Sequence, residues 1–424
     1  MERTRRRLLA GVGALGIGWL AGCTADPGRR ECDTDDSVDG PLPENKLFGT
    51  GASTGDNFGD ALALSADGTT AVIGAERHNR ESASDVGLAY VFQLDGETGR
   101  VVAELRPDDT ETGMDFGESV AVSGDGSTAV VGAGGTGTAY VFGRSSGEWS
   151  RQRTVGRGDE AGGLGRSVAI AADGSTVFVG GNSTAVRVFE RTDDGWTRQT
   201  ELRSENGSSD DWFGNELALG GDGSIALVAA SEAPGPDGWR TGEVYVYTRT
   251  DGAWTRTETL QMEPAETQAH LGVSVALSDD GTTAVVGSGP KADKGVEVDP
   301  TAHVFERDAD GWQRRERFVS DERNALAFAN SVAVSTDGET VFVGGRLPDS
   351  TNGSPPVGPQ VFHRRADGWS PGVPFKPDDD SKSFGLPVAL SGDGGTALVG
   401  ARTDDSDQCG ETGAAYVFDV PPGP

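Results

Sequence analysis

Four histidines, three cysteines and several acidic runs are the side chains with the chemistry to hold metals or break bonds. The histidines (His78, His270, His303 and His363) stand far apart, with no spacing that sets two imidazoles on one ion, so no metal site is expected. His303 falls where other copies of a recurring motif have tyrosine and reads as a packing variant. Gly132-Ala133-Gly134-Gly135-Thr136-Gly137 matches the glycine pattern of dinucleotide sites, which works only when a helix follows and offers its N-terminus to a pyrophosphate. Here Ala139-Tyr140-Val141-Phe142 follows, an aromatic and β-branched run that reads as a strand. Gly51–Gly55 and Gly143–Gly147 fit the serine-nucleophile pattern, yet both lie between strand-like runs instead of at a strand-to-helix turn. No catalytic residue is expected. Asn182, Asn206 and Asn352 open Asn-X-Ser/Thr sequons in loops and are candidates for glycosylation. Trp212 and Trp239, also in loops, are candidate binding residues, because aromatics displayed on a rigid scaffold often serve recognition. The clusters Asp108-Asp109, Asp210-Asp211, Asp378–Asp380 and Asp404-Asp405-Asp407 read as a solvated acidic rim.

These residues are set in a repeat. Phe-Gly, an alternating small/Val run, an Asp-Gly turn, a Val-rich run, a loop, Tyr-Val-Phe and a Trp recur along the chain. The Phe-Gly position falls at residues 58, 116, 164, 213, 271, 328 and 384, seven copies at intervals of 48 to 58 residues. Each copy reads as four antiparallel strands, A to D. Asp-Gly supplies the positive φ angles of the A–B hairpin, strand B is apolar throughout, and strand C is aromatic and β-branched. Small sheets repeated radially make a β-propeller. The fold expected is all-β, a seven-bladed β-propeller of four-stranded antiparallel blades. The last copy stops after Tyr416-Val417-Phe418 without a strand D, whereas Asn45–Phe48 stands alone before the first. Leu47 precedes Gly59 by 12 residues, as Leu105 precedes Gly117, so the N-terminal strand is expected to complete the last blade and close the ring. No repeat is read as carrying an odd functional residue where its siblings are small.

The Phe-Gly, Asp-Gly, Val-Gly-Ala and Tyr-Val-Phe pattern resembles the FG-GAP repeat, as in the seven-bladed propeller at the N-terminus of integrin α subunits, over residues 45–420. That resemblance implies calcium loops in some A–B hairpins. Ser123–Gly126 and Ser65–Gly68 are too short to wrap a cation, so no cofactor is expected.

The N-terminus reads as an address. Arg5 and Arg6 lie in a basic stretch that resembles a twin-arginine export motif, an apolar run of 13 residues follows, and Leu20-Ala21-Gly22-Cys23 resembles a lipobox. The expected organisation is a signal peptide over 1–22, lipid on Cys23, a polar stalk over 23–44 and the propeller over 45–424. With Cys23 lipidated, Cys32 and Cys409 remain as a pair whose disulfide would pin the closing strand to its blade. A formal charge of −31 argues against nucleic acid as a partner. Five lysines against 31 arginines, with 67 acidic residues, suit a very salty medium in which self-repulsion is screened. The function expected is that of a monomeric, non-catalytic, lipid-anchored propeller on the extracellular face of the membrane. It would bind a surface protein or glycan. A polysaccharide hydrolase or lyase and a structural envelope component are the alternatives.

Overall fold

Asp-Gly turns between alternating runs give strands that pair with their sequence neighbours. The computed structural model describes residues 45–423 apart from 81–82, 109, 157–162, 205–207, 236–237, 263–268, 290–298, 321–326, 347–357, 378, 380, 382 and 405–410. Seven sheets result. Blade 1 runs Phe58–Leu64, Thr70–Ala75, Leu88–Asp95 and Thr98–Leu105 as strands A to D, and five more blades repeat that order. In blade 6 strand D is broken into Gly368–Trp369 and Val373–Pro374. The only helical turn among the described residues is the three-residue 3₁₀ piece Ser209–Asp211. Strand A lies innermost and packs against strand A of the next blade around the whole ring. Strand B is buried along its full length between neighbouring sheets, as Thr70–Ala75 and Thr128–Ala133 show, whereas strand D forms the exposed outer edge.

The repeated residues are what join blade to blade. In blades 1, 2 and 7 the Phe packs edge-on against strand C of its own blade: Phe58 lies 5.4 Å from Tyr90, Phe116 5.3 Å from Tyr140 and Phe384 5.3 Å from Tyr416. The following glycine lets strand A pass the neighbour's backbone. A Cβ on Gly59 (φ +88°) would stand 2.3 Å from the carbonyl oxygen of Ala414 in blade 7. The strand D tryptophans reach the preceding blade, Trp254 onto Phe178 at 5.0 Å and Trp369 onto Phe318 at 5.5 Å.

The A–B hairpins form a second seam. In blades 1, 2, 5, 6 and 7 a Ser-X-Asp-Gly turn is knit by its own side chains: Ser65 Oγ donates to Asp67 Oδ1 at 2.6 Å, and Ser123, Ser278, Ser335 and Ser391 do the same. The aspartates also accept backbone N–H groups, so their oxygens are spent inside the turn. Partial burial alone would raise Asp67, Asp125 and Asp280, but these donors hold them below the usual carboxylate range. Successive turns then hydrogen-bond in a circle. Ala66 N–H donates to Gly124 C=O (3.0 Å), Gly124 to Ala172 (2.8 Å), Asp173 to Gly221 (3.0 Å), Gly221 to Asp279 (2.8 Å), Asp279 to Thr336 (3.1 Å), Thr336 to Gly392 (2.8 Å) and Gly392 back to Ala66 (2.9 Å).

The ring closes through the N-terminus. Lys46 pairs with Tyr416 and Leu47 with Ala415, making Lys46–Leu47 the fourth strand of blade 7. Lys46 is fully buried. Its Nζ donates to Asp379 at 2.8 Å and to Asp404 at 3.1 Å, and it lies 5.3 Å from the Tyr416 ring. The Tyr416 hydroxyl donates to Asp404 Oδ2 at 2.7 Å and lies 2.9 Å from Asp379 Oδ1. This overturns one expectation. Asp379 and Asp404 belong to runs that read as a solvated rim, yet Asp404 is 2% exposed. A buried lysine needs counter-charges, and these two carboxylates supply them.

Candidate functional site

Alternation of four antiparallel strands puts the A–B and C–D hairpins at one end of the disc and the B–C and D–A loops at the other. The channel between the strands A differs at those ends. Toward the hairpins it narrows to a cavity of about 130 Å³, walled by Leu64, Val122, Ile170, Leu219, Val334 and Leu390 and ringed by the small residues of the turns. Asp279 is the one charged residue of that ring; burial, then the neighbouring Asp280, raises its carboxyl above the ordinary range.

The loop end is wider and polar. Ion pairs cross blade boundaries there: Arg166 Nη1 meets Glu118 Oε1 at 2.7 Å and Arg402 Nη1 meets Asp60 Oδ1 at 3.2 Å. Glu118 Oε2 is buried without a hydrogen-bond donor, in space that a Cβ on Gly134 would fill. Burial pushes Glu118 up to about 7; Arg166 opposes the rise, and Glu76, Asp115 and Asp60 add to it. Glu216 follows the same logic deeper in strand A of blade 4, where burial raises it to about 8. Its siblings are Ala61, Ser119, Ser167, Ser274, Ser331 and Pro387. Ser119 and Ser274 use their hydroxyls to bond the next blade's backbone, at 2.9 and 2.7 Å. In blade 4 Asn215 makes the bond to the next blade's backbone instead, to Gly272 at 3.1 Å. Glu216 and Asp279 are thus single-copy carboxylates at positions that their siblings leave small. Aligning the seven strands A would have exposed both.

Raised carboxyl groups fix the sign of a pH effect. In the folded chain Glu118 and Glu216 keep their protons up to about 7 and 8, whereas the unfolded chain releases them near the ordinary value of 4.5. Between those limits the folded state binds more protons, so stability falls as pH rises. The urea midpoint is expected to drop between pH 5 and pH 8, and Glu216→Gln to flatten part of that drop. The hairpin aspartates act in the opposite sense, and their contribution is lost as pH falls below the ordinary carboxylate range.

Trp239 is 53% exposed in the B–C loop of blade 4, and Trp212 is half-buried in the D–A loop that precedes the same blade. Trp212 has φ +54°, a conformation shared by Asn57, Asp115, His270 and Ser383 at the equivalent position, so its backbone belongs to the repeat. Beneath these loops Glu232, 2% exposed, pairs with Arg240 and lies 3.4 Å from His270 Nδ1. On blade 1 the buried Asp56 accepts from His78 Nδ1 at 2.8 Å and from Ser53 N–H, tying two loops together. His303 packs inside blade 5, its Nε2 2.9 Å from Ser288 Oγ, and burial lowers it to about 3. Asn182 lies half-buried in the B–C loop of blade 3. Arg5, Arg6, Cys23, Cys32, Asn206, Asn352 and Cys409 lie outside the described residues.

Four stretches of the chain, residues 43–92, 100–143, 196–247 and 378–418, match the FG-GAP repeat. These stretches lie within the seven sheets described above, so FG-GAP repeats occur in a seven-bladed β-propeller. No curated protein matches the sequence. Among solved structures, the Kuenenia stuttgartiensis hydrazine synthase superposes with a TM-score of 0.55 over 85% of this chain and 95% of its own, at 15% identity. That likeness concerns the fold. Because 1207 solved chains match this architecture, it singles out no activity.

Proposed function

We propose that the chain is an exported, lipid-anchored propeller that binds a protein or glycan partner through its loop end, at the outer face of the membrane and in a salty medium. The observation that carries this reading is where the blades differ. Their hairpin ends repeat almost residue for residue and bond into a circle, whereas the loop end gathers the exposed Trp239, the inter-blade ion pairs and the larger cavity. Variable loops on a rigid frame are a common basis of recognition. The FG-GAP architecture suits such a non-catalytic role.

Cross-linking on intact cells followed by identification of neighbours tests the reading. A specific neighbour lost with Trp239→Ala supports it. An absence of neighbours together with turnover of a surface polysaccharide overturns it. Anchoring is checked separately: Cys23→Ser is expected to release the protein from the membrane fraction, and Arg5→Lys with Arg6→Lys to hold it inside the cell. For the salt reading, the unfolding temperature is expected to rise between about 0.1 M and 2 M KCl, as the Debye length falls below roughly 3 Å.

One observation favours a hydrolase instead: Glu118, raised to about 7 beside Glu76, Asp60 and Asp115, has the protonation state of a general acid. Hydrolysis of a polysaccharide that Glu118→Gln abolishes would establish that reading.

A further inference from the structure

We infer that the mouth of the channel holds a hexuronate residue of an acidic glycan, its carboxylate taken by Arg346 and Arg402; this rests on the reading of the loop end as the binding surface. A cavity of about 350 Å³ opens where blades 6, 7 and 1 meet, lined by Arg346, Arg402, Asp60, Asn330, Ser331 and Ser383 over a floor that includes Leu386 and Pro387. Its volume lies near the lower end of small-molecule sites, the scale of one sugar ring.

Both arginines depart from the repeat. They follow the small pair that ends strand B, a position held by Glu76, Gly134, Asn182, Ser231 and Gly289 in blades 1 to 5. Arginine stands there only in blades 6 and 7, which are adjacent, and both copies face one cavity. Arg402 gives one nitrogen to Asp60 at 3.2 Å, and Arg346 gives one to Ser383 Oγ at 3.1 Å. No carboxylate among the described residues lies within ion-pair reach of Arg346. Each guanidinium has five N–H donors, so both keep donors for a ligand. Among the described lining residues two cations face one carboxylate, a positive balance in a chain whose net charge is −31.

The remaining wall decides between acidic ligands. Ser331 and Ser383 already accept from Val388 N–H and Arg346, whereas Asp60 and Asn330 offer oxygens to a ligand's hydroxyls, and Asp60 would repel a bare acidic side chain of a peptide. A sugar acid meets both demands, with its carboxylate toward the arginines and its hydroxyls donating to Asp60 and Asn330. Among the described residues no aromatic ring lines the cavity, so they offer a neutral sugar no platform on which to stack.

The test is calorimetric titration of the full chain in detergent and high salt with glucuronate oligomers, neutral glucose oligomers and a glutamate-rich peptide. Glucuronate oligomers are expected to bind, with affinity falling at least tenfold in Arg346→Gln and in Arg402→Gln and less in Arg402→Lys, while circular dichroism stays unchanged. The glucose oligomers and the peptide are expected to bind at least tenfold more weakly. Equal binding of the peptide, indifference to both arginine variants, or no binding of glucuronate oligomers to the unmodified chain overturns the inference. Surface cross-linking of the Arg346→Gln, Arg402→Gln double variant separates the two readings. Neighbours retained there and lost only with Trp239→Ala leave the binding reading standing without a uronate site.

Discussion

Lys46→Met is expected to lower the unfolding free energy by about 3–5 kcal/mol, the usual range for breaking a buried pair from one side. The substitution keeps the aliphatic stem between Leu47 and Tyr416 but leaves Asp404, whose side chain is 1% exposed, and Asp379 without their shared cation. The hydroxyls of Tyr416 and Ser381, which also donate to these carboxylates, are neutral and do not replace the lost positive charge. In urea the midpoint should fall with little change in slope, because the same surface is exposed on unfolding. Adding Asp404→Asn to Lys46→Met should recover part of the loss. The loss should persist in molar salt, since a buried pair is screened far less than a surface one. A change below about 1 kcal/mol, the range of exposed pairs, would mean that the closing strand is held by its backbone alone.

Gly59→Ala should cost about 2–5 kcal/mol, from a left-handed conformation worth about 1–2 kcal/mol and overpacking of about 1–3 kcal/mol. The new methyl would stand 2.3 Å from the Ala414 carbonyl, across the boundary at which the ring closes. Gly51→Ala is the control: its φ of +69° is just as unfavourable, but nothing lies within 4 Å of the added carbon. Its cost should be the conformational part alone, so the difference between the two urea midpoints measures the inter-blade clash. Ala329, at φ +61° in blade 6, shows that the fold accommodates one such residue where the neighbouring backbone allows it.

How much of this could be read beforehand depends on whether a feature repeats. Phe58, Asp67 and their counterparts recur seven times, so spacing alone revealed the blade count and the strand order. The 12-residue interval from Leu47 to Gly59 revealed the closing strand because other blades contain the same interval. Lys46 has no sibling, and its partner Asp404 lies 358 residues away in a run that looks like any exposed acidic loop. Pairing of that kind depends on the closed ring and leaves no local pattern. Glu216 and Asp279 are legible in the sequence, since both stand out once strands and turns are aligned. Their raised carboxyl groups come from burial, which depends on the assembled walls.

Because the strand that carries Lys46 is made long before the one that carries Tyr416, the sheet they share cannot form until the later strand has been synthesised. At roughly 5–20 residues per second, the 358 residues between Lys46 and Asp404 keep that lysine waiting for roughly 20 to 70 seconds. During that interval the nascent polypeptide has six sheets in prospect and an unpaired edge at its leading end, the state most open to pairing with another molecule. Blade 7 thus acquires its hydrogen bonds after the other six, and its closing strand stays unprotected until the residues around Tyr416 have been made.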